Sequence, residues 1–117
     1  MEAGLEVDAS HAPVVVLRLS GEIDVFSAPR LREKIIELVN QGRRLMVIDL
    51  DAVDFLDSTG LGVLVGGLKR IRSHDGEMSV VCNQPRVRRV FELTRLDSVF
   101  PIHHNVTEAV TSMARGG

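Results

Sequence analysis

The sequence lacks several features on which common protein functions depend. It has one cysteine, Cys82, which excludes an intramolecular disulfide, so we expect a buried thiol in a reducing compartment. Aromatic residues make up 3% of the chain, four phenylalanines without tyrosine or tryptophan, which argues against base stacking on nucleic acid. The formal net charge of −2 provides no general attraction to nucleic acid or to an acidic membrane. We therefore expect no direct nucleic-acid partner.

Long apolar runs and metal-ligand patterns are also missing. No stretch approaches the roughly 18 apolar residues of a membrane helix, and residues 1–7 contain acidic side chains rather than a basic, apolar signal region. We therefore expect a cytoplasmic protein without a membrane partner. His103 and His104 are adjacent in the chain, while His11 and His74 stand alone, so we expect all four at the surface and no metal site.

The order of the predicted elements indicates an α/β fold. The chain of 117 residues is expected to be a single domain, 1–117, with a core from about 5 to 114 and a frayed end at 115–117. Alternating strands and helices predict a mixed, mostly parallel sheet of about five strands with about four helices, the first strand being antiparallel. Predicted strands cover 5–8, 14–20, 45–50, 78–82 and 99–102, and predicted helices follow Ser27, cover 61–73, begin at Pro85 and cover 106–114.

Residues 47–62 are the most informative stretch. They begin as a buried strand and end in a polar turn that opens a helix, whose apolar residues recur with helical spacing at Leu61, Leu64, Val65, Leu68 and Ile71. Asp57, Ser58 and Thr59 directly precede this pattern, and each can accept a hydrogen bond at a helix start. The Ser58 hydroxyl would then lie at the positive end of the helix dipole. Ser58 is therefore either a simple helix cap or a modified switch residue.

Four glycines lie in or beside this helix, at Gly60, Gly62, Gly66 and Gly67. Each interior glycine costs about 0.5–1 kcal/mol relative to alanine, and capping does not require them. We therefore expect another backbone or a partner to approach the first turns closely. Since functional loops of parallel sheets follow the carboxyl ends of strands, Asp24 and the helix start are expected on the same rim.

Several catalytic patterns are absent. A nucleophile elbow requires glycine two residues before the serine, but Leu56 precedes Ser58 at that position. Residues 66–69 do not form a Walker loop, and the glycine spacing G-x-G-x-x-x-G differs from the dinucleotide-binding pattern. A phospho-acceptor receiver domain would need an adjacent acidic pair after the first core strand, where Glu22 and Asp24 alternate with an apolar residue. These absences argue against a hydrolase, a P-loop and a receiver domain, and we expect no cofactor.

Residues 55–64, FLDSTGLGVL, closely resemble the phosphorylation motif of anti-sigma factor antagonists, which are small bacterial STAS-domain proteins. Residues 21–24 are similar to the G-E-[IL]-D turn of that family, and parts of 49–55 resemble its strand and loop before the site. Residues 99–102 resemble its closing strand. The likeness covers about 14–112, is nearest to BldG-like antagonists of actinobacteria, and implies a single STAS-like domain.

This resemblance implies a partner-switching mechanism. The unmodified antagonist binds an anti-sigma factor, usually a serine kinase with a GHKL-type ATPase fold, and a sigma factor is thereby released. The kinase phosphorylates the motif serine, here Ser58, and a PP2C-type phosphatase reverses the modification. The resemblance thus implies that the chain itself is a substrate and a binding partner, not an enzyme. The residues expected to bind the partner are Glu22, Asp24, Asp57, Ser58, Thr59, Gly60, Leu61 and Gly62.

Two kinds of alternative stay open at this point. STAS-like domains also occur in transporters and sensors, and some are credited with nucleotide binding, so the chain could be a stand-alone scaffold or a nucleotide-binding regulatory module. Within the partner-switching interpretation, phosphorylation at Thr59 instead of Ser58 and formation of a homodimer are both compatible with the sequence.

Overall fold

The structure is a computed structural model that describes residues 3–115. In chain order, its elements are β1 (Gly4–Asp8), β2 (Val14–Ile23), α1 (Ala28–Asn40), β3 (Leu45–Leu56), α2 (Ser58–Arg72), β4 (Glu77–Val81), α3 (Pro85–Leu93), a single 3₁₀ turn (Leu96–Ser98), β5 (Ile102–His103) and α4 (Val106–Ala114). The sequence predicts a frayed end at 115–117, and residues 116 and 117 of this segment lie outside the described residues. Among residues 3–115, no helix is long and apolar enough to cross a bilayer.

The strands form one sheet in the order β1-β2-β3-β4-β5. β1 is antiparallel to β2, whereas the pairs β2–β3, β3–β4 and β4–β5 are parallel. The predicted α/β class, with a mixed, mostly parallel sheet of five strands and four helices, is therefore confirmed for residues 3–115. The nearly continuous apolar run at 14–17 is fully buried in β2, which has a neighbouring strand on each side.

The helices cover the two faces of the sheet unequally. Successive strand residues point to opposite faces, and the larger core includes Leu17, Ile48 and Leu64 together with side chains of α1, α2 and α3. On the opposite face, α4 packs over Val16 and Val47. The predicted apolar stripe of α2 is buried in the larger core, apart from Val65, which is half-buried.

Two strands extend further than the sequence predicts. β2 continues to Ile23 instead of ending at Ser20, because shifts in register keep it paired with β3 past Gly21, a glycine with φ of 77°. β3 continues to Leu56 instead of ending at Leu50. The exposed polar residues between these two positions interrupt the apolar pattern, so the sequence did not predict a strand there. Val53 and Leu56 are nevertheless both buried in the core, and their burial stabilises the extension.

The segment after β4 also differs from the prediction. The last strand comprises Ile102–His103 instead of 99–102, because residues 96–98 form the 3₁₀ turn, and Phe100 packs edge-on against Phe91 with ring centroids 5.8 Å apart. Leu93, the last residue of α3, is 71% exposed. It follows Phe91 by two residues, about 200° around the helix, so the two side chains cannot share a face.

Candidate functional site

Ser58 is the first residue of α2 and directly follows the turn after β3. The cap of this helix is Asp57, whose carboxylate accepts a hydrogen bond from the backbone N–H of Gly60 at 2.9 Å. The side chains of Ser58 and Thr59 are both exposed. Because Asp57 performs the capping, the hydroxyl of Ser58 is free to serve another purpose.

β2 and β3 bring Asp24 and Ser58 to the same rim, as the sequence predicts. Ile23, the last residue of β2, lies opposite Leu56, the last residue of β3. The backbone N–H of Asp57 donates a hydrogen bond to the carbonyl of Ile23 at 3.1 Å. The turn that begins at Asp24 therefore lies beside the turn that opens α2, at the carboxyl ends of two parallel strands.

Gly60 lies where the start of α2 packs against the ends of β2 and β3, without room for a side chain. A Cβ atom at this position would lie 2.7 Å from Cγ2 and 2.8 Å from the carbonyl oxygen of Ile23, and 2.9 Å from Cδ1 of Leu56. Gly67 is similarly enclosed, since a Cβ there would lie 3.1 Å from Ile35 and 3.2 Å from Met78. The close approach expected at these two glycines is thus made by the chain itself.

Gly62 and Gly66 are different, because an added Cβ would meet nothing within 4 Å at either position. Together with Thr59, Arg32 and Arg70, they line a groove of about 280 Å³ between α1 and α2. Packing within residues 3–115 does not account for these two glycines. They leave the backbone of α2 uncovered next to Ser58, where a second molecule can come close.

The turn after β2 is held together by Asp24. Its carboxylate accepts hydrogen bonds from the backbone N–H groups of Phe26 at 3.0 Å and Ser27 at 3.1 Å. The Ser27 hydroxyl donates to the carbonyl of Glu22 at 2.8 Å and accepts from the N–H of Asp24 at 2.9 Å. The hydrogen bonds to Ser27 and Phe26 hold the pKa of Asp24 below its ordinary value, since they favour the ionised form.

Two apolar residues of this turn were missed by the sequence analysis. Val25 is 56% exposed and Phe26 is 88% exposed. Nearby, Phe55 of β3 is 46% exposed and lies opposite Glu22 of β2. The sequence D-V-F-S contained a signal for them, because two apolar residues lie between turn-forming residues, where no core position is expected.

The predicted partner-binding residues fall into three groups by exposure. Ser58, Thr59 and Gly62 are exposed and Glu22, Asp24 and Asp57 are half-buried, while Gly60 and Leu61 are buried beneath them. Three carboxylates are thus carried by the two turns and the strand end that form this rim. Within the described part of the chain, no group of three or more histidine, cysteine or acidic residues could hold a metal ion.

Comparison with known proteins identifies the family of the chain. The STAS domain family model matches residues 6–109. The anti-sigma-B factor antagonist of Bacillus subtilis (strain 168) is 40% identical over 88 residues, which are 75% of this chain and 80% of that protein. The anti-sigma F factor antagonist of Paenibacillus polymyxa is 34% identical, with 88% of this chain and 89% of that protein covered.

A solved structure extends the similarity to the fold. The crystal structure of an anti-sigma factor antagonist from Mycobacterium paratuberculosis superposes with a TM-score of 0.87 at 35% identity, covering 95% of this chain and 93% of that one. This mycobacterial relative is consistent with the actinobacterial subtype that the motif indicates. The chain therefore belongs to the STAS domain family and is a homologue of the anti-sigma factor antagonists.

Proposed function

We propose that the chain is an anti-anti-sigma factor controlled by phosphorylation of Ser58. The unphosphorylated form binds an anti-sigma factor and thereby releases a sigma factor, and the phosphorylated form does not bind. The observation that carries this proposal is the exposed hydroxyl of Ser58 at the first position of α2, where Asp57 already caps the helix. The relatives named as antagonists of anti-sigma factors support the same role.

The proposed partners follow from the motif at 55–64. The anti-sigma factor is a serine kinase with a GHKL-type fold that both binds this chain and phosphorylates it, and a PP2C-type phosphatase restores the unmodified form. The chain itself acts in the cytoplasm as a binding partner and a substrate, not as an enzyme. Binding uses the exposed and half-buried residues of the rim, to which Asp24 contributes by holding the turn after β2, with Gly60 and Leu61 supporting them from below.

Phosphorylation at this position leaves the fold intact. A phosphate adds a charge of about −1.5 to −2 at neutral pH. At Ser58 it would lie at the N-terminus of the 15-residue helix α2, where free backbone N–H groups and the helix dipole favour an anion. The modification therefore changes the surface offered to the partner without unfolding the protein.

The same phosphate opposes binding. In a closely packed contact, a dianion beside the carboxylate of Asp57 would have to be desolvated without a matching cation, which costs several kcal/mol. A loss of about 3 kcal/mol weakens binding more than a hundredfold. This magnitude is enough to convert a stable complex into one that dissociates at cellular concentrations.

A pull-down from lysate of the source organism tests the proposal. Wild type, Ser58→Glu and Thr107→Glu are compared after circular dichroism has shown that all three are folded alike. Thr107 is an exposed residue in the first turn of α4, so this control places the same charge at another helix N-terminus on the far face of the sheet. We expect wild type and Thr107→Glu to capture a GHKL-type kinase, identified by mass spectrometry, and Ser58→Glu to lose it. Equal capture by Ser58→Glu would refute the switch.

A nucleotide-binding regulatory module is the second candidate, and one observation favours it. Arg32 and Arg70 line the groove between α1 and α2, where they could meet phosphate groups. The groove volume of about 280 Å³ falls just below the usual range of about 300–1,000 Å³ for small-molecule sites, which makes it the weaker candidate. Saturable binding of ATP or GTP that Arg70→Ala abolishes, together with no kinase capture, would support it.

A further inference from the structure

We propose that Phe26 is the apolar anchor through which the anti-sigma factor kinase binds this chain, and that Asp24 is a positioning residue that holds Phe26 in its binding conformation. This inference rests on the proposed function and identifies the contact that supplies affinity next to the phosphorylation site.

The exposure of Phe26 sets it apart from the other aromatic residues. Phe91 and Phe100 are buried in the core and Phe55 is about half exposed, whereas Phe26 is 88% exposed. It is the most exposed large apolar residue within 3–115, and it adjoins Val25, which is 56% exposed. Exposed apolar groups that cluster beside a functional surface mark interaction sites, and aromatic residues are enriched in protein interfaces.

The turn that carries Phe26 is rigid before any partner binds. The carboxylate of Asp24 accepts hydrogen bonds from the backbone N–H groups of Phe26 and Ser27, and its backbone carbonyl accepts one from Ala28 at 2.8 Å. The Ser27 hydroxyl adds a bond to the carbonyl of Glu22. Because the backbone is already ordered, binding through Phe26 requires little further loss of conformational entropy.

The position of Phe26 indicates that the partner it contacts is the kinase that binds at Ser58. Asp24 directly follows Ile23, and the carbonyl of Ile23 accepts the hydrogen bond from Asp57 at the start of α2. Phe26 is therefore continuous with the proposed switch surface, where Glu22 and Asp57 contribute carboxylates that are only half-buried. The complementary partner surface is an apolar pocket that receives the Phe26 ring.

Binding of the purified kinase, once it has been identified with the wild-type chain, tests the anchor. We expect Phe26→Ala to weaken binding about thirtyfold, equivalent to about 2 kcal/mol, as for other buried interface anchors. Phe26→Tyr keeps the ring and should stay within about threefold of wild type. Leu93→Ala is the matched control, because Leu93 is 71% exposed at the end of α3, and we expect its affinity to be unchanged.

Phosphorylation kinetics separate an anchor from a residue that takes part in the reaction. Since Phe26 would hold the ground state and the transition state equally, Phe26→Ala should raise the KM for phosphorylation of Ser58 about thirtyfold and leave kcat unchanged. Asp24→Asn keeps an oxygen that accepts the hydrogen bonds of the turn and should stay within about threefold of wild type in affinity. Asp24→Ala removes this acceptor and should weaken binding at least tenfold.

The outcomes that overturn this inference differ from those that overturn the proposed function. Wild-type affinity for Phe26→Ala, with Ser58→Glu still unable to bind, overturns the anchor alone. Equal losses for Asp24→Asn and Asp24→Ala overturn the positioning role, because the charge would then matter directly. Analytical ultracentrifugation tests a different partner for Phe26. If the wild-type chain is a dimer and Phe26→Ala is a monomer, Phe26 contacts a second copy of the chain, and the inference that it binds the kinase is overturned. Failure of the wild-type chain to bind any kinase overturns both proposals.

Discussion

Alanine substitutions at Gly60 and Gly62 should have opposite effects on stability, although the two glycines are two residues apart in the same helix. At Gly62 an added Cβ meets nothing within 4 Å, so only helix propensity changes, and alanine should stabilise the chain by about 1 kcal/mol. In a domain of this size, that gain raises the Tm by about 4 °C.

At Gly60 the new Cβ would overlap the carbonyl oxygen of Ile23 and the side chains of Ile23 and Leu56. The carbonyl cannot move aside without weakening its hydrogen bond with Asp57, which joins the two turns of the rim. Overpacking of this kind costs about 1–3 kcal/mol, occasionally more. Even after the gain in helix propensity, we expect Gly60→Ala to lower the free energy of unfolding by about 2 kcal/mol.

Urea denaturation of wild type and both variants, followed by circular dichroism, measures these differences. Gly66→Ala is a matched control for Gly62→Ala, because its Cβ also meets open space one turn later in α2. A Gly60→Ala variant as stable as wild type would refute the tight junction between the turns, and a destabilised Gly62→Ala would refute the open face. If Gly62→Ala is more stable than wild type but binds the kinase more weakly, the partner comes close to the backbone of α2 at Gly62.

Three further results are expected. Phe91→Ala should lower the free energy of unfolding by about 3–5 kcal/mol in urea titrations, because it removes a buried ring packed against Phe100. The folded-state pKa of Asp24 is lowered, so its stabilising contribution is present above about pH 4 and is lost as the pH falls through the folded-state value; Asp24→Asn should therefore show a smaller fall in urea midpoint on acidification than wild type. Burial raises the pKa of the Cys82 thiol, so its alkylation at pH about 8, measured by mass spectrometry, should follow the unfolding transition, and rapid labelling of the native chain would contradict its burial.

The sequence predicted the fold where local patterns agree with tertiary packing. The apolar spacing of α2 placed Leu64, Leu68 and Ile71 in the core, where the structure has them buried. Local patterns failed at the ends of strands. Whether β3 continues to Leu56 depends on pairing with β2 and on core contacts of distant segments, which local alternation does not encode.

The sequence predicted which residues lie at the site, but not which of them caps the helix and which is exposed to a partner. Placing Asp24 and Ser58 on one rim required only the rule that parallel strands end at the same edge. The assignment of the helix cap to Asp57 rather than Ser58 depends on backbone geometry, since all three polar residues of the turn can cap a helix. Phe26 was missed because an apolar residue in a turn becomes informative only when its burial is known.

The proposed switch requires that phosphorylation of Ser58 prevents binding to the anti-sigma factor kinase. Isothermal titration calorimetry of the purified kinase with unmodified chain, and with chain carrying phosphoserine incorporated at position 58, tests it most directly. We predict that phosphorylation weakens the affinity more than a hundredfold while the circular dichroism spectrum stays the same. Equal affinities for the two forms would contradict the proposed switch.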